Sequence, residues 1–140
     1  MSAVCPRFWV NCYWTVNFVH SFHHNKKSYA EAQETCETAA LNGFKTGRLF
    51  EPKTQSLNDK VYAESIVVFG DLLRGAWIGI NRKRGHWIYT SSGTKLKFQN
   101  WLKNQPGGNE RNRCVYSYSR TGQWAQSRCI WKTFFICEFV

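Results

Sequence analysis

Carboxylates are scarce in this chain: nine Asp and Glu stand against nineteen Lys and Arg. With acidic residues so few and dispersed, no glycosidase pair can be assembled on paper. There is no nucleophile beside a base, no Gly-x-Ser-x-Gly elbow, no His-Glu-x-x-His and no phosphate-cradling glycine loop, so an enzyme is not expected. No apolar run approaches the ~20 residues that cross a bilayer, so no membrane span is expected. The N-terminus lacks a charged start followed by a hydrophobic stretch, and the chain reads as a mature secreted protein whose signal peptide lies outside the sequence. No Cys-x-x-Cys pair occurs, which removes the usual spacing of a zinc knuckle or a thioredoxin-like site.

What is present suits a packed globule. Aromatics reach 16% of the 140 residues, with seven Trp, and the length suits a single domain over 1–140. The six cysteines, Cys5, Cys12, Cys36, Cys114, Cys129 and Cys137, are even in number and scattered. They read as a disulfide framework in an oxidising compartment, and spacing alone leaves their connectivity open. The formal charge of +10 attracts polyanions of any kind, from nucleic acid and sulfated glycans to anionic membranes and mineral-bound polymers. No nucleic-acid motif accompanies it, so no nucleic-acid partner is expected. The basic residues are dispersed apart from two short clusters, Arg82-Lys83-Arg84 and Arg111-Asn112-Arg113.

Residues 8 to 19 are aromatic and β-branched and read as strand. Ser28-x-x-Glu31 has the spacing of a capping box and predicts a helix to about Ala40. A second helix is predicted from Ser56, with Asp59 in its first turn, to about Gly70. Short apolar runs then predict strands at 77–80, 87–90, 115–118 and 134–139, interrupted by the polar segment 104–113. Helices followed by strands indicate α+β. His20, His23 and His24 form a His-x-x-His-His group with no carboxylate or Cys near in sequence, a weak metal candidate.

Cys5-Pro6-x-x-Trp9 with Cys12-Tyr13, Ser28-Tyr29-x-x-Ala32-x-x-x-Cys36, Gly47-Arg48-Leu49 and Trp77-Ile78-Gly79-Ile80 fall in order along the chain. Trp101, Pro106, Cys114, Trp124, Cys129 and Cys137-Glu138-Phe139 follow. In these the chain resembles the long form of the C-type lectin-like domains over nearly its whole length. The resemblance implies a C-type lectin-like fold of two helices, antiparallel sheets and a long loop. It also implies the bridges Cys36–Cys137, Cys114–Cys129 and Cys5–Cys12. Trp77, Trp101 and Trp124 are expected in the core or as loop anchors.

Sugar-binding members hold calcium with a Glu-Pro-Asn or Gln-Pro-Asp triplet, a Glu before the third-bridge cysteine, and an Asn-Asp pair after the loop Trp. Carried over, these positions are Gln105-Pro106-Gly107, Asn112 and Ala125-Gln126, and none keeps a charge. Calcium wants six to eight oxygens, so it is not expected here and no other cofactor is implied. The resemblance to family members that lack the calcium residues makes a metal-free glycan site the expectation. Its candidate residues are Gln105, Pro106, Gly107, Asn109, Glu110, Asn112, Arg113 and Gln126, with Tyr116, Tyr118 or Trp124 as an apolar face. N-acetylated hexosamines on microbial or mucosal surfaces are the implied ligands, and Pro106 is expected in a cis peptide. A lectin-like module that binds protein, and a basic module that binds polyanions or mineral matrix, are the alternatives. Any dimer, homo- or hetero-, would be non-covalent.

Overall fold

A computed structural model describes residues 12–15, 18–39, 46–70 and 74–140. The expected Cys5–Cys12 bridge and the first part of the opening strand lie outside the described residues. Among the described residues, eight strands share one sheet: β1 (Cys12–Thr15), β2 (Phe18–Lys27), β3 (Gly47–Leu49), β4 (Gly75–Lys83), β5 (His86–Tyr89), β6 (Cys114–Tyr118), β7 (Trp124–Ser127) and β8 (Thr133–Phe139). Their order is β1-β2-β8-β4-β6-β7, with β3 beside β8 and β5 beside β4. Every pairing is antiparallel except β4 with β8, where Ala76 lies opposite Phe134, so the sheet is mixed.

Among the described residues, two helices pack on this sheet. In α1 (Tyr29–Thr38) the Ser28 hydroxyl accepts from the Glu31 N–H, and the Glu31 carboxylate accepts from the Ser28 N–H. The reciprocal cap satisfies two helix-end donors, and Tyr29, Ala32 and Cys36 form the buried stripe. Helix α2 (Gln55–Phe69) begins one residue before the predicted Ser56, because the Thr54 hydroxyl caps the Leu57 N–H at 3.1 Å. Asp59 consequently lies beyond the first turn, where it accepts from Gln55 Nε2 at 2.7 Å.

Cys36 is bridged to Cys137 and Cys114 to Cys129, as the resemblance implied. Trp77 and Trp124 are fully buried and Trp101 is half-buried. Each indole N–H has an acceptor: the Lys27 carbonyl for Trp77, Asn58 Oδ1 for Trp124 and Gln99 Oε1 for Trp101. Glu138 is buried between two strands, accepting from His20 Nε2 of β2 at 3.0 Å and from Arg48 Nε of β3 at 2.8 Å.

The β4–β5 hairpin closes through Arg84 and Gly85, whose φ angles are 52° and 79°. Two successive left-handed residues suit the twist of a two-residue hairpin, but Asn and Gly fill such positions most readily. An arginine there costs roughly 1 kcal/mol.

Candidate functional site

The segment from Lys103 to Arg113 follows β5 in the chain and leads into β6. The peptide between Gln105 and Pro106 is cis, as expected. The loop is organised around one side-chain amide. Gln126, on β7 and nearly buried, donates from Nε2 to the carbonyls of Asn109 and Asn112, each at 3.3 Å. Its backbone N–H donates to Gln105 Oε1 at 3.1 Å. Asn109 Oδ1 accepts from the Arg111 N–H at 2.9 Å, and the Asn112 N–H bonds to the Asn109 carbonyl at 3.1 Å. Gln126 Oε1 is buried without a hydrogen-bond partner, and a Cβ on Gly107 would lie 3.8 Å from it.

Gln105, Gly107, Asn109, Asn112 and Gln126 are therefore brought together, with Pro106 among them. Gln105 and Gln126 point their amides inward. Glu110 and Arg113 are exposed at the end of the loop and also line a neighbouring cleft with Arg82, Lys83, Arg84 and Gly85. Arg113 Nε also donates to the Glu110 carbonyl at 2.9 Å, which shapes this end of the loop. The cleft arginines and lysine of the hairpin were not among the expected site residues. Their signal was the pair of basic clusters, but only strand register shows that the two meet.

Tyr116 is not brought to the loop. Val115 lies opposite Gln126 in the β6–β7 register, and Tyr116 opposite Ala125, so side-chain alternation sends Tyr116 to the other face of the sheet. There it packs edge-on against Trp77, and the Arg74 guanidinium lies 5.7 Å from its ring and 3.9 Å from that of Trp131. Burial raises the Tyr116 pKa, with the Arg74 charge opposing. Tyr118 shares that face by the same alternation, and Trp124 is fully buried. None of the three aromatic rings is presented to a ligand on the loop.

The residues at the family's calcium positions do not fit the ion. Gly107 and Ala125 carry no side-chain oxygen, Gln105 Oε1 already accepts from the Gln126 N–H, and Asn112 and Gln126 offer one neutral amide oxygen each. A shell of six to eight oxygens cannot be built from these. The three histidines have separate partners. His20 bonds Glu138, His23 Nε2 lies 2.7 Å from Ser21 Oγ, and His24 Nε2 lies 3.2 Å from the Val68 carbonyl. No group of three or more His, Cys, Asp or Glu suited to a metal occurs among the described residues.

A family model described as the lectin C-type domain matches residues 25–139. Tetranectin of Homo sapiens is 29% identical over 119 residues, covering 81% of this chain and 55% of tetranectin. Collectin-10 of Gallus gallus is 30% identical over 117 residues, covering 82% of this chain and 39% of the collectin. Among solved structures, the C-type lectin CEL-I from Cucumaria echinata superposes with a TM-score of 0.81 at 17% identity, over 97% of each chain, a likeness of fold. The chain spans about half the length, or less, of these curated relatives. With its first helix bridged to β8, its Trp-Ile-Gly-Ile strand in the core and a family match from residue 25 to residue 139, this chain belongs to the C-type lectin domain family.

Proposed function

We propose that this domain is a secreted, non-enzymatic module that binds glycans directly, without calcium, on the surface of the long loop. The observation that carries the reading is the Gln126 clamp: three hydrogen bonds join β7 to the loop at Gln105, Asn109 and Asn112. An ion that coordinates residues from both segments would do the same mechanical work. Where hydrogen bonds from Gln126 already hold the loop, the ordering cost of binding is lowered without a metal.

The groups left to meet a ligand are the exposed Asn109, Glu110 and Arg113 and the half-buried Asn112. Together they offer amide, carboxylate and guanidinium groups, which match the hydroxyls and acetamido group of an N-acetylated hexosamine. Gln105, Pro106, Gly107 and Gln126 shape the surface on which these groups stand. The proteins it resembles include a lectin and a collectin, in keeping with glycan ligands. With Tyr116, Tyr118 and Trp124 all turned away from the loop, a single site is weak, and a second, non-covalently associated copy supplies avidity.

The test is retention on immobilised N-acetylglucosamine and N-acetylgalactosamine with and without EDTA. Equal retention is expected in both, with loss on Asn112→Ala and Arg113→Ala while the thermal midpoint stays unchanged. Loss of retention on chelation overturns the metal-free reading.

A further inference from the structure

The two basic clusters are separate in the sequence, yet the pairing of β4 with β6 places Asn81 opposite Cys114. A bond of 2.7 Å from the Arg82 N–H to the Arg113 carbonyl continues that contact. The clusters consequently face each other across an open cleft of about 240 Å³, lined by Arg82, Lys83, Arg84, Gly85, Glu110 and Arg113. Four cations share it with one carboxylate. Among the described residues, none of those cations is held in an ion pair. In so small a space their fields add, because the Debye length at physiological salt is about 8 Å.

Arg84 supplies a second, independent observation. It occupies a left-handed turn position, φ 52°, that Asn or Gly fills with less strain. A strained residue that also lines a cleft points to work for its side chain. The volume is below the roughly 300–1,000 Å³ of sites that enclose a drug-sized molecule, and it suits one charged group with part of its carrier. Guanidinium forks match tetrahedral oxyanions with paired hydrogen bonds.

We infer that this cleft is an anion subsite for a sulfate or phosphate ester carried by a glycan whose sugar ring rests on the long loop. The inference rests on the glycan reading above, since Glu110 and Arg113 belong to both surfaces. Glu110 accepts a hydroxyl of the same ring, and its charge keeps a bare anion from binding as well as the esterified sugar.

The experiment measures affinity for N-acetylglucosamine and for its sulfate and phosphate monoesters, all in EDTA. The esters are expected to bind about tenfold more tightly than the neutral sugar, consistent with one charge-assisted contact set. A preference between the two esters identifies the natural group. Arg82→Gln with Arg84→Asn is expected to remove the gain, leave neutral-sugar binding intact and leave the thermal midpoint unlowered, since Asn suits the turn. Glu110→Gln is expected to tighten ester binding while weakening the neutral sugar. Equal affinity for ester and neutral sugar overturns the subsite and leaves the glycan reading standing. Absence of binding to every sugar overturns both. Single-stranded DNA and polyphosphate binding as tightly as the esters, unaffected by the double substitution, would assign the attraction to diffuse charge and overturn the subsite.

Discussion

At the residue scale, His23 combines burial with titration. Its ring stacks on Phe135 at a centroid distance of 4.6 Å, and its pKa is lowered to about 4 by burial, with the neighbouring His24 charge adding to the effect. The unfolded chain protonates this histidine near its ordinary value of about 6.5, before the folded chain does. The neutral ring therefore contributes stability that is present above pH 6.5 and is lost as pH falls from there toward about 4. The full loss is about 3 kcal/mol at most. Thermal midpoints recorded between neutral and mildly acidic pH should fall more steeply for the native chain than for His23→Gln. Equal slopes would show that another group governs the acid response.

At the element scale, β4 illustrates why a small residue interrupts an apolar strand. A Cβ on Gly79 would lie 2.6 Å from the Leu49 carbonyl oxygen and 2.8 Å from Glu51 Cγ, because the Gly79 N–H bonds the Phe50 carbonyl across a close backbone approach. Gly79→Ala is expected to cost about 1–3 kcal/mol, read as a lowered denaturant midpoint with an unchanged slope. The Trp-Ile-Gly-Ile pattern was legible as a strand, the Ser28 capping box as a helix start, and the run 134–139 as the last strand. Strand β2 was only partly legible, since His23-His24-Asn25-Lys26-Lys27 lacks apolar alternation and is held as strand by its pairing with β8. Gln105 and Gln126 were legible as polar loop residues, but an amide can turn outward to a ligand or inward to a carbonyl, and register decides which. The same register hid the meeting of the two basic clusters.

At the scale of the whole molecule, the bridges divide their work by loop length. Cys36 and Cys137 are 101 residues apart, and closing that loop contributes about 4–5 kcal/mol through the unfolded chain's entropy. Cys114 and Cys129 are 15 apart, for about 3 kcal/mol. Replacing the first pair by alanine should consume most of a typical domain's stability, whereas replacing the second should leave a folded chain with weakened ligand binding, because Cys114 ends the long loop. Urea titration together with glycan affinity separates the two outcomes. Strand β8 joins β2, β3 and β4 while coming last in chain order. During synthesis, then, the growing polypeptide carries β2 with an unpaired edge until residue 139 has left the ribosome, and a translation product stopped before Thr133 is a substrate for chaperones or for aggregation.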